Sequence, residues 1–278
     1  MLFLGLSGGL DPAYDSRLFK SVELHDSAAV LVRDGEVIAA VEEERLNRIK
    51  HTNSMPIEAI RACLNWEGAR LSDLDAIAIS CDESIGDIFC RAMASYCPQK
   101  GDTNIRSLVH RFLREKMDDD IADGKLHFVP HHLAHALSAY APSGFDSSLV
   151  VTIDGVGDEL SGAVFSGRGG TLKQIVSLGE SKSLGHFYAH VVQYLGFGNF
   201  DEYKIMGLAP YGDPSIHRDL FRGFYTLLAN GAFEIHWNKL GLLERECGSP
   251  RQSEQEISQS HKDIAASLQE SQIGRAHV

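Results

Sequence analysis

The sequence predicts an α/β protein built from a duplicated β-β-β-α unit, and three observations carry that reading. Two stretches repeat one order: an apolar strand ending near glycine, a polar loop, a hairpin, then a helix. Asp34-Gly35 and Gly169-Gly170 each separate two β-rich runs, as hairpin turns that need positive φ at both positions do. After each hairpin, apolar residues recur at helical spacing, in PIEAIRACLNWEG and in SLGHFYAHVVQYLGF.

Each element follows from local chemistry. LFLGLS (2–7) is an apolar strand, and a polar stretch from Gly8 to Glu23 follows it. HDSAAVLVRDGEVIAAVEEER (25–45) supplies the first hairpin. PIEAIRACLNWEG (56–68) opens with proline and stops at glycine, the usual asymmetry of a helix. LDAIAIS (74–80) reads as a buried strand, and residues 84–120 as mostly helical, ending in REKMDDD. KLHFVP (125–130) is a strand and HHLAHALSAYA (131–141) the helix after it. The second round comprises the strand SSLVVTIDG, a hairpin within 159–179 and a helix over 183–197. SEQEISQSHKDIAASLQES (253–271) reads as a last helix.

With 278 residues the chain is long enough for two domains with their own cores. We expect a first subdomain over 1–145 and the start of a second over 146–271. QIGRAHV, at 272–278, is expected to be a non-native tail, with the natural protein continuing. A net charge of -12 argues against a bulk electrostatic grip on nucleic acid or an anionic membrane. No apolar run approaches the roughly 20 residues of a membrane span, and the N-terminus lacks the basic region of a signal peptide, so a cytoplasmic protein is expected. The five cysteines form no CxxC pair and read as reduced thiols.

The duplicated order resembles the actin-like (ribonuclease-H-like) architecture shared by actin, sugar kinases and heat-shock proteins, here with its second half incomplete. Such folds hold phosphates on backbone N–H groups of their strand–turn–strand hairpins.

The densest chemistry lies in HFVPHHLAHALSAYAP (127–142). On a helix, His131 and His135 share a face one turn apart, whereas His132 points elsewhere. Two imidazoles so spaced offer a divalent metal two ligands from one rigid element. Asp154, read as ending the strand LVVTID before a glycine turn, is the expected third ligand, with Asp158 as alternative. Two histidines and a carboxylate suit Fe²⁺ or Zn²⁺, although a lone His-x-x-x-His is often purely structural.

Three other stretches hold weaker signals. In HDSAAVLV, Ser27 follows His25 and Asp26 and has a hydroxyl and N–H suited to a phosphate, or simply belongs to a capped turn. EEERLNRIKH (42–51) mixes glutamates with Arg45, Arg48, Lys50 and His51; a solvated face is its plain reading. DEYKIMGLAPYGDP (201–214) sets Lys204 among Gly207, Pro210 and Gly212, suggesting close approach to an anionic ligand or, equally, a surface turn. No GxxxxGK[ST] or GxGxxG motif occurs.

Taken in order, HDSAAVLVRDGEVIAAVEEERLNRIKH, HHLAHALSAY, TIDGVGD and DEYKIMGLAPYG resemble the nodulation-factor and antibiotic O-carbamoyltransferase family (NodU/CmcH type). The resemblance implies an N-terminal actin-like domain, related to tRNA threonylcarbamoyl-transferring enzymes, joined to a C-terminal YrdC-like domain that this chain lacks. It implies ATP, carbamoyl phosphate as co-substrate, a bound iron-type metal and a small-molecule hydroxyl acceptor. By the same resemblance His131, His135 and Asp154 are the metal ligands, and His25 and Lys50 face the carbamoyl group or acceptor. Lys204 and Gly207 line the nucleotide cleft. The long stretch before HDSAA departs from the family pattern. The alternatives are a threonylcarbamoyl-transfer enzyme acting on tRNA, which the acidic balance disfavours, and a non-catalytic nucleotide- or metal-binding module working with a partner. A sugar kinase lacks an identifiable catalytic aspartate here.

Overall fold

The structure, a computed structural model, describes residues 1–9, 25–96 and 102–276. Positions 10–24 of the long stretch before His25 lie outside the described residues. So do Cys97, part of the expected helical region 84–120, and the last two residues of the expected tail. The chain forms two compact units, Met1–Asp146 and Ser147–Val278. The fold is α/β, and both units open with the expected antiparallel three-strand meander followed by helix.

In the first unit, β1 (Leu2–Ser7), β2 (Ala28–Arg33) and β3 (Glu36–Glu42) run antiparallel to their neighbours. The β2–β3 turn falls on Asp34 and Gly35, at φ 50° and 89°, as the sequence predicts. After α1 (Glu43–Asn47) and α2 (Ile57–Glu67), β4 (Ala76–Ile79) joins β1 in parallel. Next come α3 (Glu83–Tyr96) and α4 (Ile105–Met117), and then β5 (Leu126–Phe128) pairs in parallel with β4. The sheet order is therefore β3-β2-β1-β4-β5. Strand alternation turns Leu2, Leu4 and Leu6 inward, and helical spacing buries Ile105, Leu108, Val109, Phe112 and Leu113 of α4. Each fully buried residue of this kind contributes roughly 1.5–3 kcal/mol relative to exposure. α5 (His131–Tyr140) follows β5 directly, Pro130 preceding its first turn.

In the second unit, β6 (Ser147–Gly157), β7 (Leu160–Arg168) and β8 (Thr171–Gly179) form an antiparallel sheet in that order. The β7–β8 turn is Gly169-Gly170, both at positive φ. α6 (Leu184–Tyr194) packs on β6, and a second apolar core gathers Phe187, Phe221 and Phe224. Around it lie α7 (Glu202–Leu208), α8 (Arg218–Arg222), the short pair β9 (Tyr225–Leu227) and β10 (Phe233–Ile235), α9 (Leu242–Cys247) and α10 (Gln259–Ala276).

Two expectations are corrected. The strand carrying Asp154 does not stop there: β6 continues to Gly157, and the turn falls on Asp158 and Glu159 at φ 50° and 63°. Regular pairing lapses between Ile153 and Gly157, so Asp154 sits at a ladder irregularity rather than at a strand terminus. The final helix begins at Gln259, not near Ser253, because the buried Arg251 guanidinium draws the carbonyls of Ser253 and Gln255 to itself. It also donates to the carbonyls of Leu195 and Gly196. Among the described residues no helix is long and apolar enough to cross a membrane.

Candidate metal ligands and a histidine–aspartate cluster

β5 lies against β4, and Val129 N–H donates to the Ile79 carbonyl at 2.8 Å, fixing where α5 starts. The first two turns of α5 then bring the Nε2 atoms of His131 and His135 to 3.0 Å, with ring centroids 4.5 Å apart. Metal–nitrogen bonds of about 2.0–2.1 Å at angles of 90–109° set ligand nitrogens roughly 2.9–3.4 Å apart, so this pair fits a divalent ion without rearrangement. His132 points away and is 3% exposed, as the helical spacing predicts.

The expected third ligand belongs to the second unit. Asp154 Oδ1 accepts the Gly155 N–H at 2.7 Å, which aligns the carboxylate along its own strand. The adjacent backbone is held by the start of α6: Ser183 Oγ donates to the Gly155 carbonyl at 2.6 Å. A Cβ at Gly185 would lie 2.7 Å from Gly155 Cα, so only glycine lets α6 come this close. Asp158 is in the β6–β7 turn.

A second cluster lies wholly in the first unit. The Asp26 carboxylate accepts from His25 Nδ1 through Oδ2 at 2.6 Å and from His51 Nδ1 through Oδ1 at 2.9 Å. Burial pushes this carboxyl up, but the two imidazole partners outweigh it and hold the group below its ordinary value. Glu44 Oε2 accepts the His51 N–H at 2.9 Å, and His51, like Asp26, has positive φ. Ligand atoms of Asp26, Glu44 and His51 lie within 4.8 Å of one another, a spacing the hydrogen bonds already explain. Lys50, next to His51, is exposed.

Ser27 is fully buried and ties this loop together. Its N–H and hydroxyl both donate to the Thr52 carbonyl, at 3.3 and 3.1 Å, and its Oγ accepts the Gly9 N–H at 2.8 Å. The chain itself thus engages the groups expected to meet a phosphate. The glutamate run is only partly a solvated face. Glu43 is 3% exposed and accepts the backbone N–H groups of Ala59 and Glu58 in the first turn of α2, at 2.8 and 3.4 Å. Burial pushes its carboxyl up, partly offset by those two donors.

In the second unit, Lys204 is on α7, paired with Asp201 at 2.7 Å and lying over the Phe197 and Tyr203 rings. The Asp201 hydrogen bond raises its pKa. Nothing lies within 4 Å of a Cβ built at Gly207, which leaves that point of α7 open to close approach. Gly212 differs: its Cβ would meet the Lys262 carbonyl oxygen at 2.0 Å, so this glycine serves contact with α10 and not with a ligand. The sequence expectation names His25 and Lys50 but omits Asp26 and His51 as site residues. The adjacency of Asp26 to His25, and the place of His51 beside Lys50, are the signals the sequence offers for them.

Comparison with known proteins decides the family. Residues 19–271 match the carbamoyltransferase N-terminus model. This chain belongs to the carbamoyltransferase N-terminus family. The nodulation protein NolNO of Sinorhizobium fredii (strain NBRC 101917 / NGR234) is 46% identical over 276 residues, 97% of this chain and 40% of that protein. The nodulation protein NolO of Bradyrhizobium diazoefficiens is 49% identical over 140 residues, 50% of this chain and 26% of that protein. The family member here thus spans less than half the length of either relative. Component A of (R)-2-hydroxyglutaryl-CoA dehydratase from Acidaminococcus fermentans aligns over 99% of both chains, at 13% identity and TM-score 0.41.

Proposed function

We propose that this chain is the N-terminal part of an ATP- and metal-dependent O-carbamoyltransferase, moving a carbamoyl group from carbamoyl-adenylate to a hydroxyl of a sugar or secondary metabolite. The observation that carries the reading is the family match over residues 19–271, together with the His131–His135 pair at ligand spacing. The nodulation proteins among its relatives turn the choice of acceptor toward a nodulation factor. Carbamoyl phosphate and ATP are the proposed source of the adenylate, formed in a YrdC-like region of the complete protein.

His131, His135 and Asp154 are the proposed ligands of one divalent ion, Fe²⁺ before Zn²⁺. Such an ion, when bound, acts as a Lewis acid toward the carbamoyl oxygen. The remaining chemistry falls to side chains. His25 takes the proton of the acceptor hydroxyl as its oxygen bonds to the carbamoyl carbon and the bond from that carbon to the adenylate phosphate breaks, releasing AMP. Lys50 stabilises negative charge developing on the carbamoyl oxygen or departing phosphate. Lys204 and the open backbone at Gly207 are the proposed contacts to the nucleotide.

The test supplies the complete gene product with ¹³C-carbamoyl phosphate, ATP and a hydroxylated acceptor. Labelled carbamate ester together with AMP supports the reading. AMP release with labelled cyanate or carbon dioxide and no ester, across sugar and antibiotic acceptors, contradicts it.

A further inference from the structure

We propose that Asp26 is a positioning residue that locks two imidazoles, His25 and His51, into the same tautomer, making His51 the second member of a paired proton-accepting device. This rests on the reading above, in which His25 takes the acceptor's proton.

One carboxylate holds an imidazole on each oxygen, at 2.6 and 2.9 Å. An ionised carboxylate only accepts hydrogen bonds, so each Nδ1 facing it must carry the hydrogen. A neutral imidazole has a single N–H, and the Nε2 of both rings is therefore an acceptor. The same logic fixes metal-binding and catalytic histidines elsewhere, where a carboxylate on one nitrogen sets the role of the other. Asp26 is held below its ordinary carboxyl value, so it remains an anion wherever the protein is folded near neutrality.

The surrounding chain secures this arrangement from both sides. On the His51 side, Glu44 takes the backbone N–H at 2.9 Å, and the next residue, Thr52, gives its carbonyl to Ser27. On the His25 side, Asp26 is followed at once by the fully buried Ser27. The rings come from positions 26 residues apart, and this loop pairing brings them onto one anion. When either Nε2 accepts a proton, the imidazolium formed lies against Asp26 and is stabilised there. The substrate class that fits such a device is a neutral hydroxyl compound whose proton must leave as its oxygen attacks.

The experiment is long-range ¹H–¹⁵N correlation of the histidine rings in the ¹⁵N-labelled chain, with His25→Gln and His51→Gln variants for assignment. The wild-type chain should show both rings as Nδ1–H tautomers. In Asp26→Asn, which keeps a residue tolerant of positive φ, the amide offers one acceptor and one donor. One of the two rings should then switch to Nε2–H while the other stays. Either ring as Nε2–H in the wild type, or no switch in the variant, overturns the assignment. In the complete gene product, Asp26→Asn should lower kcat about 100-fold with KM for the acceptor unchanged, the scale of one lost proton-transfer contribution. Unchanged kcat alongside the predicted tautomers overturns the positioning role. If the wild-type protein transfers no carbamoyl group yet shows both Nδ1–H rings, the tautomer assignment stands and the carbamoyl reading fails.

Discussion

The Nε2 atoms of His131 and His135 meet at 3.0 Å across one turn of α5, while His132 between them turns into the interior. Three neighbouring histidines thereby separate into two kinds, and substitution should separate them too. His132→Ala should destabilise the first unit by roughly 2–4 kcal/mol, a core truncation, and leave divalent-metal affinity unchanged. His131→Ala, on the outward face, should change stability little and weaken metal binding. Urea unfolding and a zinc titration on both variants check the contrast.

Glu43 tests whether the glutamate run is structural. Its carboxylate serves two N–H groups that the first turn of α2 leaves without intrahelical partners. Glu43→Ala should cost about 1–3 kcal/mol by leaving a buried donor unsatisfied, whereas Glu42→Ala, on the exposed side, should cost a few tenths. Denaturant midpoints of the two variants read the difference.

The two glycines of GLAPYG should behave oppositely. Gly212→Ala drives a Cβ to 2.0 Å from the Lys262 carbonyl oxygen, and separating α10 from this turn should cost about 1–3 kcal/mol. Gly207→Ala meets nothing of the chain within 4 Å and should gain roughly 0.5–1 kcal/mol within a helix. If nucleotide approaches α7 here, the same substitution should weaken ATP binding, measured calorimetrically, despite the greater stability.

Acid should act through Asp26. Its folded carboxyl holds a proton less tightly than the unfolded one, whose value is near 3.8. The stability it contributes is thus fully present above that value and lost as pH falls through the lower folded value. Unfolding midpoints of wild type and Asp26→Asn should differ above about pH 4 and converge below it. A constant difference down to pH 2 would contradict the linkage.

Much of this was legible in the sequence because it is local. Asp34-Gly35 and Gly169-Gly170 announce hairpins through backbone φ alone, and the i, i+4 spacing of His131 and His135 guarantees a shared helix face. What the sequence hid depends on distant partners. Gly155-Val156-Gly157 looked like a turn, yet the strand runs through it, packed against Gly185 of α6, and Asp158-Glu159 makes the turn instead. Nothing local says which of three consecutive glutamates turns inward to α2, nor that His51 will reach a carboxylate 25 positions earlier. Arg251, anchored on the distant carbonyls of Leu195 and Gly196, likewise draws the Ser253 and Gln255 carbonyls away from the last helix.

The most direct test of the central claim is metal content. The chain, loaded anaerobically with Fe²⁺ and desalted, is measured by elemental analysis beside His131→Ala, His135→Ala and Asp154→Asn. One iron per wild-type chain and a loss in all three variants is the expected result. Stoichiometric iron retained in the two histidine variants would contradict it.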